Sequence, residues 1–71
     1  NPTNGITHIV YESEQAKDQT LNLYDAKSIQ ILNIKNEIQK GVNRLDIDMT
    51  SYPAGLYILR IGDEHKKIFK N

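Results

Sequence analysis

Apolar and polar positions along the chain alternate with a period of two over most of its length. In residues 6–11, Ile6, His8 and Val10 fall on one side and Thr7, Ile9 and Tyr11 on the other. Successive side chains of a strand leave opposite faces, and β-branched and aromatic residues suit a pleated surface. The pattern predicts a strand there. A second strand is predicted over 20–24, with Leu21 and Leu23 opposed to Asn22 and Tyr24. A third is predicted over 29–34, with Ile29 and Ile31 in phase. A helix competes over 26–39, because Ile31, Ile34 and Ile38 are spaced at three and four. The density of isoleucine and the preceding Asp25-Ala26-Lys27-Ser28 turn favour the strand. Residues 42–48 form a fourth, with Leu45 and Ile47 alternating against Arg44, Asp46 and Asp48.

The connecting segments are turn-like. Residues 1–5 are a turn cluster, with Asn-Pro and Asn-Gly both punctuating the chain. Residues 12–19 are polar and read as a solvated loop or the ragged end of a hairpin. Residues 35–41 read as a turn. Residues 49–54 link two strands, with room for one helical turn that would tuck Met49 and Tyr52 over the end of the core. Gly62-Asp63-Glu64 is a tight reversal.

Residues 56–61 are the most apolar run. Both of their faces are apolar except at Arg60, which predicts a central strand covered on both sides. Pro53 and Gly55 set its start: proline fixes φ and lacks an N–H, and glycine reaches backbone angles that other residues avoid. Residues 65–70 carry lysines on both faces (Lys66 and Lys70 on one, Lys67 on the other), as an edge strand does to discourage unwanted pairing. Short strands at even spacing predict an all-β fold, a small antiparallel β-sandwich of six to seven strands.

Composition narrows the function. The 71 residues include no cysteine, so there is no disulfide framework, thiolate metal site or cysteine nucleophile. A chain this short makes one domain, residues 1–71, with a thin stability margin. The net charge is zero, but the first 25 residues set one lysine, Lys17, against Glu12, Glu14, Asp18 and Asp25. The excess of positive charge therefore lies later, concentrated at His65, Lys66, Lys67 and Lys70. Without a basic stripe, nucleic acid is not the expected partner. No run has the length of a transmembrane helix. Beginning at Asn1-Pro2, the chain reads as a piece of a longer precursor.

In order, the segments resemble the C-terminal sorting domain of the type IX secretion system, type A class (the Por secretion family). The carrying residues are Asn1-Pro2-Thr3-Asn4-Gly5, Leu21-Asn22-Leu23-Tyr24-Asp25, the run from Ile47-Asp48 to Pro53-Ala54-Gly55-Leu56-Tyr57, and the lysine-rich close Lys66-Lys67-Ile68-Phe69-Lys70-Asn71. The resemblance spans essentially the whole chain. It implies an immunoglobulin-like sandwich that exports an upstream cargo through the periplasm to the outer-membrane surface or beyond, by way of an outer-membrane translocon. It also implies a sortase-like cysteine peptidase that removes the domain. Asn1, Pro2, Gly5, Asp25, Pro53, Gly55 and Tyr57 would then be structural motif residues, and Lys66, Lys67, Ile68, Phe69 and Lys70 the recognition strand. One departure stands out: the family usually has Gly-Lys after the Asp turn, where this chain has Ser28-Ile29. If that glycine supplies a left-handed position, either Ser28 is strained there or the turn differs.

Other chemistry is weakly signalled. Asp46 and Asp48 share a strand face, but a Ca²⁺ site needs several more oxygen ligands, so they read as solvated acids. His8 and His65 stand far apart without an acid or hydroxyl at a signature spacing, and the four glycines form no phosphate loop. No catalytic, metal or cofactor site is expected. The alternative to a sorting signal is a retained β-sandwich module that binds protein or carbohydrate. The absence of tryptophan weighs against sugar stacking. A structural spacer is a third possibility.

Overall fold

The computed structural model describes residues 2–3 and 5–71. Asn1 and Asn4 of the opening motif lie outside the described residues. The alternating pattern folds into β1 (Pro2–Thr3), β2 (Ile6–Ser13), β3 (Lys17–Tyr24), β4 (Gln30–Ile38), β5 (Gly41–Asp48), β6 (Gly55–Ile61) and β7 (Glu64–Lys70). They form a five-stranded sheet in the order β1-β7-β6-β3-β4 and a two-stranded sheet of β2 and β5. All pairings are antiparallel except the short β1–β7 contact. The expected all-β sandwich is what forms.

The core lies between the sheets. Leu21 and Leu23 of β3, Tyr57, Leu59 and Ile61 of β6, Ile38 of β4 and Ile68 of β7 meet Ile9, Tyr11 and Ile47 of the smaller sheet. Leu59 stands directly opposite Leu23 in the register, and Leu23 opposite Leu32, so one apolar row crosses three strands. Met49 seals one end with no exposed surface, and its sulfur accepts a hydrogen bond from the buried Thr7 hydroxyl at 3.3 Å. Tyr52 packs against the same core, as expected of the 49–54 link. That link contains no helical residues; Tyr52 N–H closes a turn on the Met49 carbonyl at 3.1 Å.

Several expectations are corrected. Pro2 and Thr3 are not in a turn: they pair in parallel with Phe69 and Lys70. The polar run 12–19 is mostly strand, with only 14–16 left to turn. Ser13 supplies the last inward position of β2, and Glu12, Lys17 and Asp18 are polar because they face solvent from within strands. β4 continues through 35–38, which polarity assigned to a turn. Ile38 is buried opposite Lys17, and the inward-facing Asn36 disguises the alternation. A register shift beside Leu23 leaves Ile31 and Leu32 both packed against the core, which breaks the expected phase of Ile29 and Ile31.

β6 is the middle strand of the larger sheet, as expected, but only one face is covered. Tyr57, Leu59 and Ile61 are buried, whereas Leu56 and Ile58 are half-exposed and Arg60 is exposed. The opposing layer exists on one side only.

Ser28 sits at φ 67°, and among the described residues no other non-glycine has a positive φ. The suspected strain is therefore real: a Cβ in the left-handed region crowds the neighbouring carbonyl. Ser28→Gly is expected to stabilise the protein by about 1 kcal/mol, the relieved strain less the extra freedom of glycine when unfolded. Thermal unfolding would register this as a rise of ~4–8 °C in Tm. A fall in Tm would contradict a strained Ser28.

Candidate recognition edge

β7 lies at one margin of the larger sheet. Gly62, at φ 56°, holds the first place of the two-residue reversal that pairs Ile61 with Glu64, a place that favours glycine in tight hairpins. Counting back from it, Arg60 faces His65, Ile58 faces Lys67 and Leu56 faces Phe69. On the other side, β1 pairs with Phe69 and Lys70. Among the described residues, 64–68 have a strand on one flank.

The residues singled out on β7 divide into three kinds. Ile68 is buried and belongs to the core. Lys70 is half-buried, and its ammonium donates to the Tyr52 carbonyl at 2.7 Å, which ties the end of the chain to the link before β6. Lys66 and Lys67 bond no acid among the described residues, and Phe69 leaves 47% of its surface exposed. The sequence counted His65 in the closing cluster of positive charge and Arg60 as the polar exception in its strand, but placed neither among the recognition residues. Register from the Gly62 reversal places them beside Lys67 on the outward face, where Arg60 adds to its positive charge.

The motif residues 53–57 close on themselves. Tyr57 buries its ring and donates its hydroxyl to the Pro53 carbonyl at 2.5 Å, the local back-bond that a tyrosine corner makes in immunoglobulin-like sandwiches. The rings of Tyr52 and Tyr57 are tilted by 31° at 5.9 Å. Gly55, at φ 152°, lets the chain turn from this link into β6. Gly5 lies against the same link: its carbonyl accepts from Met49 N–H at 3.1 Å, and a Cβ there would lie 3.1 Å from the Thr50 methyl. Asp25 organises the β3–β4 turn, its Oδ1 accepting from Lys27 N–H at 2.9 Å and Ile29 N–H at 3.0 Å. Between these two loops runs an apolar groove of about 520 Å³, lined by Ile29, Ile31, Tyr52, Pro53 and Leu56 among others.

The acids considered for Ca²⁺ are otherwise engaged. Asp46 Oδ1 lies 2.6 Å from His8 Nδ1 and 3.6 Å from Arg44 Nε, and the His8 hydrogen bond is the main reason its carboxyl titrates below 3.8. Asp48 Oδ1 accepts from the Thr50 hydroxyl at 2.6 Å and Thr50 N–H at 3.0 Å, which likewise holds it below 3.8. Among the described residues no cluster of three or more His, Cys, Asp or Glu could hold a metal ion, and no helix is long and apolar enough to cross a membrane.

Both shifts are depressions, so the stability they confer is present above the unfolded aspartate value and is lost as pH falls through the lower folded value. Asp48→Asn keeps an oxygen acceptor but cannot titrate. Its acid unfolding below pH 3.8 is expected to be shallower than that of the parent, with little change at neutral pH. Superimposable acid-unfolding curves would count against this role.

The fold is a small β-sandwich whose larger sheet ends, among the described residues, in a lysine-bearing strand that β1 covers in part. The family described as the secretion system C-terminal sorting domain matches residues 1–71, and the chain belongs to it. It is thus a type IX sorting domain, of a family not known for enzymatic activity, whose membership implies an upstream cargo, the type IX machinery and export to the cell surface or extracellular space. No curated protein and no solved structure matches the chain at a significant level.

Proposed function

We propose that residues 1–71 act as one non-enzymatic address unit, carried through the periplasm behind their cargo and read by the outer-membrane translocon at β7. The observation that supports this reading is the half-open edge: among the described residues nothing pairs with the outer flank of 64–68, whereas Phe69 and Lys70 pair with β1. A free edge accepts an extended segment through backbone hydrogen bonds, and the flanking side chains select it. Lys66 and Lys67 select for an acidic partner surface, and Phe69 supplies an apolar anchor beside them. Lys70, Ile68, Tyr57, Pro53, Gly55, Gly5 and Asp25 hold the edge in place. A sortase-like cysteine peptidase then cuts in the linker upstream of the sandwich.

The apolar groove between the Asp25 turn and the 52–57 link favours a second reading, a retained protein-binding module. Fusing residues 1–71 to a periplasmic reporter in a strain with a working type IX system separates the two. Surface delivery of the reporter supports the address; a folded reporter left in the periplasm supports the retained module.

A further inference from the structure

The opposite margin of the larger sheet, β4, has a different character. Among the described residues it is the longest strand, nine residues, and its one partner is β3. Its inward Leu32 and Ile34 are half-covered, so the core is unfinished along this margin. Its outward charges are Lys35 and Glu37, two residues apart and opposite in sign. Glu37 stands directly across from Asp18, a like charge, while Lys35, two residues before it on the same face, pairs with Asp18 at 3.6 Å. Glu37 has no ion pair of its own among the described residues.

We propose that the β4 edge is a self-complementary interface that pairs antiparallel with β4 of a second copy, about Asn36. In that register each Lys35 faces Glu37 of the other copy, and each Ile34 faces Ile38. Opposite charges directly across a strand pair attract, and like charges repel. A two-residue slip either way keeps the faces aligned but sets Lys35 against Lys35 or Glu37 against Glu37, so charge selects the register.

The other margins do not offer this. Self-pairing of β7 over residues 64–68, about Lys66, would set Lys66 against Lys66 and His65 against Lys67, since Phe69 and Lys70 are already paired with β1. The inward residues of β2 are already buried. On β5, Arg44 and Asp46 are already bound to each other and to His8. The molecule therefore carries one edge that rejects its own copy and another that accepts it.

Sedimentation equilibrium of residues 1–71 tests the interface. The parent chain is expected to dimerise, and Lys35→Glu or Glu37→Lys alone to weaken association by about tenfold or more, since each replaces two attractive pairs with two repulsive ones. An equimolar mixture of the two single variants restores opposite charges at every position and is expected to form a heterodimer. The double variant, with the charges exchanged, is expected to dimerise as the parent does, which guards against a single variant that merely fails to fold. A monomeric parent, or a dimer that persists in both single variants, would overturn the proposal, as would a mixture that stays monomeric.

Discussion

Leu59→Ala is expected to remove about 3–5 kcal/mol of stability, the range for a fully buried leucine whose surroundings cannot close around the gap. Leu59 has no exposed surface. It sits in the middle strand of the larger sheet, opposite Leu23 on one side and Lys66 on the other, and the smaller sheet covers it. The backbone on both flanks is held by strand pairing, so the cavity persists. For 71 residues, total stability is on the order of 4–11 kcal/mol, so the loss takes a large share of the whole. Urea unfolding would show it as a lower midpoint at unchanged slope. Ile58→Ala, one residue away on the half-exposed face, should cost much less. Equal losses at the two positions would mean that β6 is buried on both faces after all.

Gly55→Ala is expected to cost about 1–3 kcal/mol through the backbone alone. Its φ of 152° lies in territory that residues with a Cβ rarely enter, yet nothing lies within 4 Å of where the new methyl would sit. No clash of the added methyl therefore contributes. The substitution also reaches the neighbouring strand. Gly55 pairs with Lys70, and the link it terminates carries the Tyr57–Pro53 and Lys70–Tyr52 hydrogen bonds. Local opening should be felt first at the end of β7. Hydrogen exchange at 68–70 faster than at 64–66 in the variant is the expected signature. Uniform loss of protection would show that the strain is not local.

Strand identity was largely legible because alternation is a local property. β2, β5, β6 and β7 all alternate cleanly, and their residues divide between two faces as the sequence divides them; which face is buried is decided by the opposing sheet. The losses occur where a local rule meets a distant partner. Asn36 faces inward at the uncovered margin of the sheet, where a polar side chain costs little, and its presence hid the second half of β4. The register shift near Leu23 is set by pairing with β4, which no single strand displays. The apolar outward residues Leu56 and Ile58 looked like a second buried face, but a two-layer sandwich offers β6 only one opposing sheet.

The candidate edge was legible in part for the same reason. The lysines of β7 were visible in the sequence, but their division of labour was not. Lys70 is taken up by the Tyr52 carbonyl, a contact across 18 residues, and Arg60 and His65 join Lys67 only through the register of the hairpin. Ser28 was legible because its turn was compared with a pattern that places glycine there.

The central claim is that β7 is read as an address through Lys66 and Lys67. Neither lysine bonds an acid among the described residues; Lys67 is exposed, whereas Lys66 is half-buried on the core-side face opposite Leu59. Reversing both charges, Lys66→Glu with Lys67→Glu, is therefore expected to lower Tm chiefly through Lys66, and thermal unfolding is used to establish that the variant is folded. Surface delivery of a reporter fused to the variant domain, measured beside the parent fusion in the same type IX-competent strain, is then the direct test. Loss of delivery from a folded domain is the predicted result; delivery equal to the parent's would contradict recognition at this edge.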